Sequence, residues 1–467
     1  MPDRHPGSDG PPPVGPGSRE PRRAEQQLDR SLTTLGNIAL TLSDITPSAS
    51  LLVVGPVVIG TAGTGSLLAY LVGCFIAFNV ALCMGELGSL FPVAGGLYSI
   101  VARVLGRPLG LLALFDYVGQ AIFLPASMAI GIGTYVTSLD PRIPTNWVAA
   151  GTMVTVTILA LLRIHFNAIM TGVFLALELS VVAILFLTGV LHPQQSWSIL
   201  THPVIPQGGT LTPVAAGAIM TALATALFSV NGYDSALNFS EETEGAAAHI
   251  GKAVVIAASV GIVCELVPFV FALIGAGDLS AVLTSPTPLT DVIRGAFGHA
   301  VVTVVTVGAI VAIFNASLAI TLQFARMIWS SGRDRAWPEP VSSWLARVNR
   351  FGSPWVATLL VGGLAALLCL QATLVSVVTF TAVLIVVLYG LIAVAALCDR
   401  VRRRNTQRPF RMPFWPLPPL IALVGVGFAL TQQKASDLWT VLAIFGAGIA
   451  YYVAFLRRRS DRYWVSH

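Results

Sequence analysis

The chain has 467 residues, of which 55% are hydrophobic and only 10% are charged, and its mean hydropathy is +0.78. About a quarter of the residues in soluble domains are charged, so this composition excludes a soluble globular protein and predicts a surface that faces lipid. The formal charge of +5 does not indicate a nucleic-acid partner, because the basic residues are spread along the whole chain.

Residues 1–31 contain Pro, Gly and charged side chains and hardly any apolar ones, which predicts a disordered tail. From Leu32 onwards, apolar runs alternate with short polar loops. About 20 apolar residues in a helix cross a bilayer core of about 30 Å, and backbone groups in lipid must pair within their own segment. The sequence therefore predicts an all-α membrane protein with twelve transmembrane helices over residues 32–456. The predicted spans are residues 33–60, 66–90, 107–138, 146–163, 167–190, 212–238, 250–276, 300–329, 354–371, 374–398, 414–433 and 437–456.

The distribution of basic residues predicts the orientation. With the N-terminus inside, every Lys and Arg falls in a cytoplasmic segment except Arg142, Arg294 and Lys434. An excess of basic residues in cytoplasmic loops is the usual pattern in membrane proteins. We therefore expect both termini in the cytoplasm, with residues 1–31 as the N-terminal tail and residues 457–467 as the C-terminal tail.

Two of the predicted spans contain a polar interruption. The first contains Asp44-Ile-Thr-Pro-Ser-Ala-Ser50, where the proline removes a backbone hydrogen bond, and the sixth contains Ser229-Val-Asn-Gly-Tyr-Asp-Ser235, where Asn-Gly is a turn signal. Taken singly, each is explained by an ordinary kink. Taken together, they occupy corresponding positions of two five-helix repeats, which is typical of a transporter site at the bilayer midplane. Exposed N–H groups there attract an anion and exposed carbonyls attract a cation, so a zwitterionic amino acid satisfies both.

Three motifs resemble those of the amino acid, polyamine and organocation transporter superfamily, which includes the amino acid permeases. They are Ala81-Leu-Cys-Met-Gly-Glu-Leu-Gly-Ser-Leu-Phe-Pro-Val-Ala-Gly-Gly-Leu-Tyr98, Phe228-Ser-Val-Asn-Gly-Tyr-Asp-Ser-Ala-Leu-Asn-Phe-Ser-Glu-Glu-Thr243 and Ala325-Arg-Met-Ile-Trp-Ser-Ser-Gly-Arg-Asp-Arg-Ala-Trp-Pro338. The resemblance extends over residues 33 to 456. It implies a transporter domain with a five-plus-five inverted repeat, broken helices one and six, and alternating access around them.

The resemblance also implies the substrate-binding residues. The turn that binds a substrate carboxylate falls on Ser48, Ala49 and Ser50, the carbonyls that face the substrate amine fall on Ile45, Phe228 and Asn231, and Phe228 is the aromatic gate. Pro47 and Ala49 occupy places that are usually glycine in the family, and Pro47 has no N–H to donate. Hydroxyl groups of Thr46, Ser48 or Ser50 would then donate hydrogen bonds to the substrate carboxylate in place of the missing N–H. The implied set is Ile45, Thr46, Ser48, Ala49, Ser50, Phe228, Val230 and Asn231.

Acidic residues inside the predicted spans are functional candidates, because a charge in hydrocarbon costs roughly 2.5–3.5 kcal/mol or more. No Lys or Arg lies deep in a predicted span to pair with them. Asp234 and Glu178 are the candidates for proton coupling; alternatively, Asp234 caps the second half of helix six and Glu178 bridges neighbouring helices. Glu86, near a cytoplasmic end, is expected in a structural network. The six acids are Asp44, Glu86, Asp116, Glu178, Asp234 and Glu265.

The sequence lacks the motifs of nucleotide hydrolases, zinc peptidases and serine hydrolases. The five cysteines lie in apolar stretches at spacings that match no metal or redox motif, so we expect no enzyme activity, no disulfide, no metal and no cofactor. We expect a plasma-membrane secondary transporter of a neutral or small amino acid, working as a proton-coupled symporter or an exchanger. The expected partners are this small-molecule substrate, protons and membrane lipid, without nucleic acid. A polyamine transporter, or an amino acid sensor that does not transport, is the alternative.

Overall fold

The computed structural model describes residues 33–92, 95–162, 168–238, 240, 243, 245–459 and 464. The predicted N-terminal tail lies outside these residues, as do Arg163, parts of the first two motifs and most of the predicted C-terminal tail. In chain order, the helices of the first part are α1 (Thr34–Ile45), α2 (Pro47–Ala49), α3 (Gly55–Ala62), α4 (Ser66–Leu90), α5 (Gly96–Leu105), α6 (Arg107–Leu139), α7 (Thr145–Leu161) and α8 (Ala168–Leu191).

The second part begins with a hairpin of two antiparallel strands, β1 (Val204–Gln207) and β2 (Thr210–Pro213). The helices that follow are α9 (Ala216–Ser229), α10 (Ser235–Asn238), α11 (Ala246–Ile274), α12 (Leu279–Thr284), α13 (Pro288–Arg333), α14 (Glu339–Leu345), α15 (Trp355–Cys369), α16 (Leu374–Arg402), α17 (Leu417–Thr431) and α18 (Ala435–Tyr451).

The fold is nearly all helical, as the composition predicts, and a helix overlaps each of the twelve predicted intervals. Within the described residues, seven helical segments are long and apolar enough to cross a membrane; the other apolar helices are shorter, 10–17 residues each. The number of crossings therefore stays a prediction. The seven segments are Thr34–Leu90, Arg107–Leu139, Gly172–Leu191, Ala247–Ile274, Pro288–Arg333, Leu374–Arg402 and Ala435–Arg459.

The first interruption lies where the sequence predicts it. Helix α1 ends at Ile45, and Thr46 adopts the left-handed conformation with φ 47° and ψ 63°. The chain resumes in the short helix α2 and a π-helical turn, Ser50–Val54, before α3. The Ser50 hydroxyl donates a 3.0 Å hydrogen bond to the carbonyl of Ile45, which satisfies a carbonyl at the C-terminus of α1. The segment is a true break rather than a kink.

The second interruption follows α9. This helix ends at Ser229, and Gly232 has φ +113°, a conformation that favours glycine. The amide of Asn231 donates to the carbonyl of Phe228 at 3.0 Å, and the amide of Ser235 donates to that of Gly232 at 3.0 Å. The turn predicted from Asn-Gly is therefore present.

Packing around the two breaks defines the centre of the molecule. Helices α4 and α11 pack against each other, α9 packs against α4, α1 packs against α11, and α6 packs against α13 and α16. The hairpin lies at one end of this bundle, where the amide of Val204 donates to the Thr64 hydroxyl at 2.8 Å. The breaks are thus enclosed by long helices that are themselves apolar.

Candidate functional site

A small cavity lies between the two helix breaks, and its walls come from both breaks, from α6 and from α13. Its volume is about 20 Å³, room for about one water molecule. The lining residues are Asp44, Ile45, Thr46 and Ser50 at the first break, Phe228, Asn231, Gly232 and Asp234 at the second, Gln120, Leu124 and Met128 on α6, and Ile320, Gln323 and Phe324 on α13.

The structure brings most of the predicted site residues together at this cavity. Ile45, Thr46, Ser50, Phe228 and Asn231 line it, as does the proton-coupling candidate Asp234. The remaining predicted residues are buried nearby but outside the lining: Ser48, Ala49, Val230 and Glu178. That any of these residues binds substrate or a proton stays a prediction.

The cavity has one polar and one apolar side. Hydroxyl and amide groups of Thr46, Ser50, Asn231 and the two glutamines can donate and accept hydrogen bonds. Leucine, methionine, isoleucine and phenylalanine side chains from α6 and α13 supply the apolar wall. A ligand that fits both sides is amphipathic, with a polar end at the breaks and an apolar body between α6 and α13.

Two carboxyl groups give the cavity its electrostatic character. The Tyr117 hydroxyl donates to Oδ2 of Asp234 at 2.8 Å, whereas Oδ2 of Asp44 is buried without a hydrogen-bond partner. No Lys, Arg or His is among the lining residues that the structure describes. The cavity therefore favours a cation, either a proton or the ammonium group of a ligand. Asp116 does not line the cavity itself, but it accepts from the lining residue Gln120 at 2.7 Å.

Three residues of the second break are hydrogen-bonded to neighbouring helices. The Ser229 hydroxyl donates to Oε2 of Glu265 on α11 at 2.7 Å. The Tyr389 hydroxyl of α16 donates to Oδ1 of Asn231 at 2.8 Å. The Tyr233 hydroxyl donates to the carbonyl of Ala77 on α4 at 3.2 Å. Movement of this break must therefore exchange several hydrogen bonds at once.

Glu86 belongs to a structural network, as its sequence position predicts. Its carboxylate accepts from Arg400 at 2.9 and 2.6 Å, from Arg408 at 2.8 Å and from the amide of Met412 at 2.7 Å. The expectation that no basic residue pairs with the acids of the spans is wrong for Glu86. Helix α16 continues to Arg402, which brings Arg400 alongside α4.

The lining residues on α6 and α13 were not anticipated from the sequence. Gln120, Leu124 and Met128 follow each other at four-residue intervals and so share one helix face. No motif marks that face, and only its position against the breaks reveals it. Asn315 and Ser317 on α13 are polar but are buried outside the lining. The Ser317 hydroxyl donates to the carbonyl of Ile313 on its own helix at 2.9 Å.

Comparison with known proteins gives matches along nearly the whole chain. Residues 32–455 match a family model described as amino acid permease. An uncharacterised transporter of Mycobacterium tuberculosis is 28% identical over 93% of both chains. A branched-chain amino acid permease of Lactococcus lactis is 23% identical over 94% of this chain and 97% of its own. A methylthioribose transporter of Bacillus subtilis is 22% identical over 93% of this chain and 95% of its own.

Proposed function

The chain belongs to the amino acid permease family and is an integral membrane protein, and on this premise we propose that it is a secondary active transporter that moves amino acids by alternating access. The observation that carries the proposal is the single cavity lined by both helix breaks. Broken helices at corresponding positions of two repeats are the arrangement in which transporters bind substrate near the bilayer midplane. The five-plus-five repeat, the twelve crossings and the cytoplasmic termini are parts of the same proposal, as is a plasma-membrane location.

The size of the cavity supports alternating access. A volume of about 20 Å³ is far below that of pockets for small organic ligands, which are roughly 300–1,000 Å³. Substrate entry therefore requires the breaks to move away from α6 or α13. The tethers from the second break to α4, α11 and α16 are the contacts that such a movement rearranges.

The proposed substrate is a neutral amino acid with an apolar side chain. Its ammonium group would face the carboxylates of Asp44 and Asp234 and the carbonyls of the broken helices, and its carboxylate would face the hydroxyls of Thr46 and Ser50. Its side chain would lie against the apolar wall, with Phe228 as the gate. The permease of branched-chain amino acids among the relatives agrees with an apolar side chain.

A diamine or polyamine is the second candidate. The specific observation in its favour is that two carboxyl groups, those of Asp44 and Asp234, line the cavity without a basic residue in the described lining. One ammonium group can neutralise only one of these two carboxylates, and the second ammonium group of a diamine would neutralise the other. The two candidates differ in whether the ligand carries a carboxylate of its own.

Proton coupling is proposed because the buried acids can exchange a proton in place of a metal ion. Asp234, in the cavity wall, and Glu178, buried on α8, are the candidate carriers. An inward proton gradient in sodium-free buffer is expected to raise uptake if the protein is a symporter. An exchanger would instead require substrate on both sides.

The test is uptake into proteoliposomes of the purified protein with a panel of labelled amino acids and diamines. We expect uptake of branched-chain or other neutral amino acids and its loss in Phe228→Ala. The matched control is Phe428→Ala, which alters a phenylalanine on α17 that is 39% exposed on the surface of the protein. Uptake of diamines alone would select the second candidate. Amino acid uptake that Phe228→Ala leaves unchanged would contradict the proposed site.

A further inference from the structure

One face of α11 touches both helix breaks. A Cβ atom at Gly261 would lie 3.0 Å from Cγ2 of Ile45, so this glycine packs directly on the last residue of α1. One turn later, Oε2 of Glu265 accepts from the hydroxyl of Ser229, the last residue of α9, at 2.7 Å. One further turn on, the ring of Phe269 lies 4.5 Å from that of Tyr70 on α4. Helix α11 is therefore placed to sense the position of both breaks.

Glu265 and Ser229 form a short hydrogen-bonded chain with Tyr70. The Tyr70 hydroxyl donates to Oγ of Ser229 at 3.0 Å, and the Ser229 hydroxyl donates onwards to Oε2 of Glu265. Oε1 of Glu265 is buried without a hydrogen-bond partner. This series of hydrogen bonds thus ends at the carboxyl group of Glu265, one oxygen of which has no hydrogen-bond partner. Glu265 lies outside the lining of the substrate cavity.

Within the described residues, no basic side chain is paired with Glu265 to balance a negative charge. Its exposed fraction is 0%. The titratable groups that face it are Tyr70 and Cys74 on α4, Tyr389 on α16 and Cys264 on α11 itself. The acids on the other helices beside α11, Asp44 on α1 and Glu178 on α8, interact with each other.

An ionised carboxylate in this place would hold a buried charge with a single hydrogen-bond donor. Such a charge costs several kcal/mol or more, whereas a neutral carboxyl group costs far less. A proton on the unused Oε1 leaves the hydrogen bond from Ser229 intact. The conformation with the narrow cavity, which we call the closed form, therefore requires Glu265 to carry a proton.

We propose that Glu265 is a proton-binding site of the transport cycle, outside the substrate cavity, and that its proton holds the end of α9 in the closed form through Ser229. The inference rests on the proposed transport function and adds a third acid to the two coupling candidates. Loss of the proton is tolerated only when α9 moves and water or a cation reaches the carboxylate. By reciprocity of linked equilibria, deprotonation of Glu265 then favours opening of the cavity.

The experiment measures cavity opening without any substrate. In a background with the five native cysteines replaced by alanine, a cysteine replaces Leu124 in the cavity wall, and the purified protein in detergent reacts with a charged methanethiosulfonate reagent. The rate is divided by that of a cysteine at exposed position 142, which corrects for the pH dependence of an exposed thiol, and the pH dependence of the ratio is compared between variants. We expect the normalised rate to rise severalfold between about pH 5 and about pH 9 as the population shifts to the open form.

Four variants test whether Glu265 causes the rise in the labelling rate with pH. Glu265→Gln, which resembles the protonated acid, is expected to give a low rate at every pH, whereas Glu265→Asp retains the rise. Ser229→Ala keeps the carboxyl group but removes the hydroxyl through which it acts, so the rise is lost there too, and this smaller change provides the test if Glu265→Gln does not fold. The matched control is Asp116→Asn, which removes a buried acid of α6 outside the cavity lining but keeps an oxygen that can accept from Gln120. This variant should retain the rise.

A rise that survives in Glu265→Gln, or that disappears only in Glu178→Gln, would overturn the inference. Because no substrate is present, this result is independent of the uptake panel. A protein that transports none of the panel but shows the Glu265-dependent rise would contradict the proposed substrate class and leave the proton site standing.

Discussion

Gly232 and Asp44 lie so close together that a Cβ atom on Gly232 would be 2.8 Å from the carbonyl oxygen of Asp44. The two helix breaks therefore touch through backbone, and the φ of +113° at Gly232 makes a side chain there unfavourable by itself.

We expect Gly232→Ala to abolish or strongly reduce transport. The unfavourable φ costs about 1–3 kcal/mol, equivalent to about one to two orders of magnitude in a rate, and the steric overlap adds to it. The measurement is uptake at equal reconstituted protein. The control is Gly217→Ala on α9, where an added Cβ meets nothing within 4 Å. Equal activity of the two variants would show that the breaks need not touch.

A second prediction concerns Asp44, whose exposed fraction is 8% and whose Oδ2 has no partner. If this carboxylate binds the substrate ammonium group, Asp44→Asn removes a charge-assisted hydrogen bond of about 1.5–3 kcal/mol. The apparent affinity should fall by roughly 10- to 100-fold, measured as the KM for uptake. Asp116→Asn alters a buried acid outside the lining and keeps an oxygen that can accept from Gln120, so it should leave KM unchanged. A KM that responds to Asp116→Asn and not to Asp44→Asn would place the ammonium site elsewhere.

A third prediction concerns stability. Glu86 and Arg400 form a buried ion pair with a 2.6 Å N···O distance. Removing one charge of a buried pair typically costs about 3–5 kcal/mol, because the other charge stays buried. Glu86→Gln should therefore lower the thermal unfolding midpoint in detergent markedly. Arg294→Ala breaks a pair whose arginine side chain is 51% exposed and should cost less than about 1 kcal/mol. Similar midpoints for the two variants would argue against a structural role of the Glu86 network.

The fourth prediction tests orientation. An impermeant thiol reagent added outside intact cells should modify a cysteine replacing Arg142 and should spare one replacing Arg404 until the membrane is opened. Both positions are exposed, so a negative result reflects the side of the membrane rather than burial. Arg408 is unsuitable for this purpose, because its side chain is only 6% exposed. The reverse labelling pattern would reverse the proposed topology.

The two helix breaks could be predicted from the sequence because their signals are local. Pro47 and Asn231-Gly232 disfavour a helix wherever they stand. No comparable local signal marks β1 and β2. They are uncharged and precede the apolar helix α9, so their residues also fit a longer transmembrane span. The sixth predicted span accordingly begins inside β2.

Partners that are distant in sequence could not be predicted. Glu86 meets Arg400 across 314 positions, and Tyr389 meets Asn231 across 158. The cavity face of α6 depends on how that helix is rotated, which its hydrophobic pattern does not determine because most of its faces are apolar. The helix breaks are encoded by local signals, whereas the lining of the cavity arises from packing.

The narrow cavity has a consequence for the thermodynamics of opening. A space of about 20 Å³ must take in many water molecules before a substrate can exchange with it, so the closed and open forms differ in hydration. Solutes that are excluded from the protein surface favour compact, less hydrated states. Osmotic pressure should therefore inhibit this protein, because a lower water activity shifts the population towards the closed form. The slope of the logarithm of the closed–open equilibrium constant against the logarithm of the water activity gives the number of water molecules that enter on opening.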